Sequence, residues 1–207
     1  MKQDWFPDWS KESVVIAASG PSQNKTDIEA FRGTHKVVVI NDTYQLAPWA
    51  DVLYACDKRW WDTKGPAPEA FTGMRIIGID EHPGCHTIHV DRTRNLIFSG
   101  DAVGSGGNSG FQAINLMVMW GVKNIVLLGF DYKDPGNHWF GRHPQGMYQS
   151  RPSTIKWWIT CMDKAAGILR RKGVEVINCT RDTDLMCFKR MTVEEYLDSV
   201  GALERRT

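Results

Sequence analysis

The sequence predicts an α/β protein built on one doubly wound, mostly parallel sheet of Rossmann-like type. Three observations carry this expectation. Six short β-branched runs recur along the chain and are apolar almost throughout rather than alternating, as suits strands covered on both faces. Segments with helical spacing separate most of them, several bounded by caps or glycine stops. Each run also ends in glycine or polar residues, at the strand ends where such sheets bind ligands.

Residues 13–18 are the first strand and lead into Ser19-Gly20-Pro21-Ser22. A short helix over 26–31 follows, acidic at its start. The second strand, 36–40, meets Asn41-Asp42; the third, 51–56, meets Asp57; the fourth, 74–79, meets Asp80. Residues 109–120 carry Phe111, Ile114, Met117 and Val118 at helical spacing, with Gly121 as the stop. The fifth strand, 124–128, runs into Gly129-Phe130-Asp131, and the longest helix, 153–172, lies between Pro152 and Gly173. The sixth strand, 174–178, precedes Thr192-Val-Glu-Glu195, which has the spacing of a capping box for a final helix to Val200. No repeat or long linker interrupts this order. It reads as a single domain over 1–207, with 1–12 a peripheral N-terminal segment and 192–207 a C-terminal helix.

Composition narrows the function classes. Lys plus Arg number 25 and Asp plus Glu 24, a net charge of +1. That balance argues against a dedicated nucleic-acid binder. The five cysteines, Cys56, Cys85, Cys161, Cys179 and Cys187, include no C-x-x-C pair. No signal-like segment opens the chain, and no apolar run approaches the ~20 residues that span a bilayer. A soluble, cytoplasmic protein with no membrane partner is expected, and self-association is compatible with the composition. Nine tryptophans are many for 207 residues. Trp120 suits the core, whereas Trp60-Trp61, Trp139 and Trp157-Trp158 stand near the expected ligand edge.

Four segments are candidates for chemistry, each with a plainer alternative. Ser19 to Ser22 could bring backbone amides to an anion, or be a simple turn. It lacks the second glycine of a P-loop, because Asn24 stands there. Gly104-Ser-Gly-Gly-Asn108-Ser109-Gly110, at a helix start, could cradle a phosphate or be a connector. Its mid-chain place disfavours NAD binding. The segment from Gly129 to Tyr132, followed by Asn137-His138-Trp139-Phe140-Gly141-Arg142-His143, gathers acid, base and cation at the functional edge. Its alternative is a solvated loop. His82, Cys85, His86 and His89 match no standard zinc spacing and read better as surface histidines. Asp57, Asp131 and Asp134 are available carboxylates, but no Asp-x-Asp pair marks a metal site, so divalent-metal dependence is left open.

Taken in order, SGPS, VINDTY, NSG, VLLGFDY and HWFGRH resemble a Rossmann-like transferase superfamily. It includes the bacterial lipooligosaccharide sialyltransferases, the flagellar motility accessory factors and the archaeal hydroxymethylpterin diphosphokinases. Short members encoded by tailed phages are most similar, over about residues 14–178. The resemblance implies a nucleotide-binding set: Ser19, Gly20, Pro21 and Ser22, then Asn41, then Asn108, Ser109 and Gly110, with Tyr132 at donor phosphate. Asp57 and Asp131 join it by their place after strands. The family's general base matches His143, but Arg142 is inserted in the motif, so His138 and His143 are alternatives. Ser19 replaces the family's asparagine and Asn108 its threonine. No acceptor lid is evident, so a sugar acceptor does not follow.

The implied function is transfer of a sugar or (di)phosphate group from a nucleotide donor, CMP-sugar or ATP in type, to an unidentified acceptor hydroxyl. His143 or His138 would be the base, with Arg142 and Tyr132 stabilising the leaving phosphate. The alternative is a non-catalytic nucleotide-binding or phage virion-associated protein that retains the fold. Direct nucleic-acid binding is not expected.

Overall fold

The computed structural model describes residues 3–64, 67–144 and 148–204. Its main sheet has eight strands, all parallel. They are β1 (Ser13–Ala17), β2 (Lys36–Ile40), β3 (Val52–Ala55), β4 (Met74–Ile77), β5 (His86–Thr87), β8 (Asn124–Leu128), β9 (Glu175–Asn178) and β10 (Lys189–Arg190), in the spatial order β10-β9-β8-β1-β2-β3-β4-β5. The chain therefore builds outward from β1 in one direction through β5, then returns to pair β8 with the other side of β1. A separate parallel pair, β6 (His89–Asp91) and β7 (Ala102–Gly104), lies beside this sheet in sequence.

The apolar runs divide between two faces because successive side chains of a strand point to opposite sides. Val14, Ile16, Val38, Ile40, Ile125 and Leu127 pack with α3 (Ser109–Met119) and α4 (Pro152–Arg171). Val15, Ala17, Val37, Val39, Val126 and Leu128 pack on the opposite face. Their partners there are α1 (Lys25–Glu29), α2 (Lys58–Lys64) and α5 (Val193–Glu204). Both faces are covered, which is the doubly wound arrangement the uninterrupted runs predict.

Local chemistry sets the helix ends. Asn24 caps α1 by accepting from Asp27 N at 3.0 Å. Asp27 in turn takes two 2.7 Å bonds from Arg181, tying α1 to the segment after β9. Burial presses the Asp27 carboxyl upward, but the bonds from Arg181 and Asn24 outweigh it and hold it below its ordinary value. Pro152 opens α4, where a missing N–H costs nothing. The capping box at α5 forms: Glu195 N donates to Thr192 Oγ1 at 3.1 Å and Thr192 N to Glu195 Oε2 at 2.8 Å.

Several features depart from the sequence expectation. The segment 1–12, read as peripheral, puts Phe6 in the core, and Trp5 and Trp9 meet the buried Trp120 edge-on. The final helix runs past Val200 to Glu204. Strands β5, β6, β7 and β10, helix α2 and a 3-10 turn at Asn41–Gln45 were not foreseen. Between β4 and α3, the amide of Asn115 holds the insert to α3. Its Oδ1 accepts from Ile97 N and Gly104 N, both at 2.9 Å, and its Nδ2 donates to Ile97 O at 2.6 Å.

Candidate functional site

Because β1 is flanked by β2 and β8, the connections leaving β1 and β8 diverge to opposite faces. A crevice opens beyond their carboxyl ends. The loops there are stitched together by Ala18 N donating to Leu128 O at 2.8 Å and Gly20 N to Gly129 O at 2.9 Å. The resulting cleft is lined by most of the sequence-derived candidates: Ser19, Gly20 and Pro21 after β1; Asn41 after β2; Asp57 after β3; Asn108, Ser109 and Gly110 at α3; Asp131 and Tyr132 after β8; and both His138 and His143. Ser22 and Arg142 are not part of the lining.

The first loop does not offer the free amides expected of it. Ser22 N donates to Asp131 Oδ2 at 2.8 Å and Ser22 Oγ to Asp131 Oδ1 at 3.0 Å. Gln23 N turns back to Gly20 O at 3.0 Å. A carboxylate of the protein thus sits where an incoming anion would have to bind. Burial raises the Asp131 carboxyl, and the two bonds from Ser22 work against that rise. Ser19 is structural too: its hydroxyl donates to Ile40 O at 3.0 Å and lies 2.9 Å from Thr43 Oγ1.

The start of α3 is different. Asn108 is the N-cap, its Oδ1 accepting from Phe111 N at 2.9 Å and from Tyr132 Oη at 3.2 Å. Gln112 N reaches Asn108 O at 3.3 Å. Among the described residues, no partner is present for the amides of Ser109 and Gly110, the first two of the helix. The first turn of α3 carries no acidic residue. Two unpaired N–H groups at the positive end of an 11-residue helix, open to a cleft, form an anion seat. Gly107 keeps the approach narrow, since a Cβ there would lie 1.9 Å from the Trp157 ring. Tyr132, expected to touch phosphate, instead spends its hydroxyl on the cap, and burial raises its phenol above the ordinary value.

Lining the same cleft, a tight hairpin pairs His138 with Gly141: His138 N donates to Gly141 O and Gly141 N to His138 O, both at 2.9 Å. It brings the rings of His138 and His143 to 4.4 Å between centroids. His138 Nδ1 is 3.2 Å from the Ser19 carbonyl, which only accepts, so Nδ1 carries the proton and Nε2 of the neutral ring is the lone-pair nitrogen. Burial, then the neighbouring His143, pulls His138 down to about 4, against the Ser19 carbonyl and Asp42. Burial also lowers His143, opposed by Asp42 and Asp57. Arg142 is exposed. Its side chain turns outward, whereas His138 and His143 line the cleft.

The remaining walls are aromatic and polar. Trp60 and Trp158 line the cleft, while Trp61, Trp139 and Trp157 do not. Among the described residues, no partner is present for the buried His143 Nδ1 and Trp158 Nε1. Among the described residues three non-glycine positions have left-handed backbone, and two of them, Asn41 at φ 50° and Tyr132 at φ 53°, lie in the cleft. Such conformations cost about 1–3 kcal/mol each and cluster at functional sites. Asp57 is exposed to the cleft, and desolvation by the walls raises its carboxyl. Among the described residues no three metal-ligating side chains gather. His82 packs on Trp61 and His86 stacks on Trp5 at 4.7 Å.

Sequence reasoning missed Lys64 and the cleft residues Lys133, Tyr148 and Ser150. It reached Asp42 and Asn137 only as members of a strand end and a loop segment, with no role of their own. No protein-family model, curated protein or solved structure matches the chain.

Proposed function

We infer that this protein is a nucleotide-dependent group transferase, and one observation supports the reading most. The unpaired Ser109 and Gly110 amides open onto the same cleft as His138, whose tautomer is fixed. An anion seat and an oriented base in one cleft suit transfer of a phosphate-linked group to a hydroxyl. In that reaction His138 Nε2 takes the acceptor's hydroxyl proton, and the acceptor oxygen bonds to the transferred group. The bond from that group to the donor phosphate breaks, and the charge left on phosphate falls to the α3 amides. His143 is the alternative base. Arg142 has no part in the proposal, because it is exposed and outside the lining.

The donor is a nucleotide or nucleotide-sugar of CMP-sugar or ATP type, and the acceptor is a hydroxyl compound still to be identified. No helix among the described residues is long and apolar enough to cross a membrane. All five cysteines are free thiols, which supports a reducing, cytoplasmic setting, in a host cytoplasm if the gene is phage-borne.

A thermal-shift screen with CMP, UDP, GDP, ADP and ATP tests the reading. A ligand at about 100 times its Kd stabilises by about 2.7 kcal/mol, a rise of roughly 5–10 °C for a chain of this size. No rise with any nucleotide refutes it. A second reading, a nucleotide-binding protein without chemistry, draws on a specific observation. The one lysine in the described lining, Lys133, is committed to Asp182 and Asp184. Nucleotide binding with full indifference of turnover assays to His138→Gln and His143→Gln would favour it.

A further inference from the structure

We propose that Asp42 and Lys64 form a positioning pair behind the two cleft histidines, holding Trp60 in the cleft wall and fixing the charge that His143 faces. The inference rests on the reading of those histidines as proton acceptors.

Asp42 is 1% exposed and yet carries an ionisable group. Three donors from two segments converge on it. Gln45 Nε2 donates to Oδ1 at 3.0 Å, Trp60 Nε1 to Oδ2 at 3.0 Å, and the Lys64 ammonium pairs with Oδ1. Burying such a pair is costly, and apolar side chains of similar volume often serve stability as well or better. Its place accounts for its presence. Asp42 follows Asn41 of the cleft and precedes Thr43, whose hydroxyl lies 2.9 Å from Ser19 Oγ; the Ser19 carbonyl in turn holds His138 Nδ1. On its other side it grips Trp60, which lines the cleft. The pair thus touches the cleft wall through Trp60 and adjoins, through Thr43 and Ser19, the bond that holds His138.

The charges that His143 faces come from three places: Asp42 on the turn after β2, Asp57 after β3 and Lys64 at the end of α2; the neutral ring of His138 packs beside it on the same hairpin. Burial is the largest influence on His143 and disfavours its protonated form; Asp42 and Asp57 favour that form and Lys64 opposes it. The two members of the pair therefore act on His143 with opposite sign.

The test is an NMR titration of the imidazoles in the full chain, assigned with His138→Gln and His143→Gln. Asp42→Asn should lower the His143 midpoint and Lys64→Met should raise it, each by about half a pH unit or more. The double variant should return between them. Shifts of the same sign, or no resolvable shift in either variant, overturn the proposal. If Asp42→Asn does not fold, Lys64→Met decides alone, and absence of an upward shift overturns it. The titration needs no nucleotide, so a failure of the transferase reading would show in the ligand screen and leave this result standing.

Discussion

Replacing Gly20 with alanine isolates the contact between the two loops that build the cleft. A Cβ at Gly20 would lie 2.0 Å from Asp131 Oδ1 and 2.5 Å from Gly129 O. The backbone of Gly20 is not left-handed, so the cost is one of contact rather than conformation. Relief by swinging Asp131 away forfeits the bonds from Ser22 N and Ser22 Oγ, each worth about 1.5–3 kcal/mol to a charged acceptor. Relief by parting the loops breaks Gly20 N to Gly129 O and strains the β1–β8 junction, about 2–4 kcal/mol together. The first route costs about 3–6 kcal/mol in all, so the second, cheaper one sets the expected loss at about 2–4 kcal/mol, read by urea unfolding at constant m. Gly167→Ala is the control. It lies inside α4 with only Arg171 Nη1 within reach at 3.6 Å, and should gain about 0.5–1 kcal/mol. A double variant with Asp131→Ser should cost less than the sum of the two single changes, because the shorter side chain vacates the contact. A loss below about 1 kcal/mol for Gly20→Ala, or strict additivity, would refute the proposed latch.

Three further outcomes follow from particular residues. His138, held at about 4 when folded and near 6.5 when unfolded, binds a proton only in the unfolded chain between those values. Its contribution to stability is therefore present above about 6.5 and lost as pH falls toward 4, by about 2–3 kcal/mol. His138→Gln should remove that component, and an equal gap between the two proteins by urea unfolding at pH 7 and pH 4.5 would contradict it. Asn115→Leu strands Ile97 N, Gly104 N and Ile97 O, and should cost about 3 kcal/mol or more. Hydrogen exchange should then speed up over 86–104, and unchanged protection there would count against the role of Asn115. Thr192→Ala removes one bond of the α5 capping box and should cost about 1 kcal/mol, checked by thermal melting.

Six strands were legible because their apolar character is complete: a strand such as 36–40 has buried neighbours on both faces and shows it in every residue but the first. The strands that were not legible lack that imprint. His86–Thr87 and Lys189–Arg190 are exposed two-residue edges, indistinguishable by composition from loop. Helix α2 was hidden by its length of seven residues and by Trp60-Trp61, a pair that suggests a ligand wall as readily as a core face. The site was legible where position along the sheet decides it, as at Asn41, Asp57 and Ser109. It was illegible where partners decide it. Ser22 was read as a ligand contact, but its donors are taken by Asp131, 109 residues away. Arg142 was read as catalytic, but the His138–Gly141 hairpin turns it to solvent. Nothing in sequence announces that Asp42 and Lys64 will meet.

The strand order also fixes a timetable for the chain as it leaves the ribosome. Strands β1 to β4 are complete once residue 77 has emerged, yet the second edge of β1 waits for residues 124–128. At about 5–20 residues per second, those roughly fifty residues take a few seconds to ten. For that interval Val14, Val15 and Ile16 present an apolar, unpaired strand edge to the surroundings, a template for joining another nascent chain. The cost of a cleft at the switch between β1 and β8 is thus met during synthesis. Its two loops cannot meet until Asp131 has emerged, so no ligand of the cleft can shelter the growing chain. Slower production or lower temperature should improve the recovery of this protein before any ligand does.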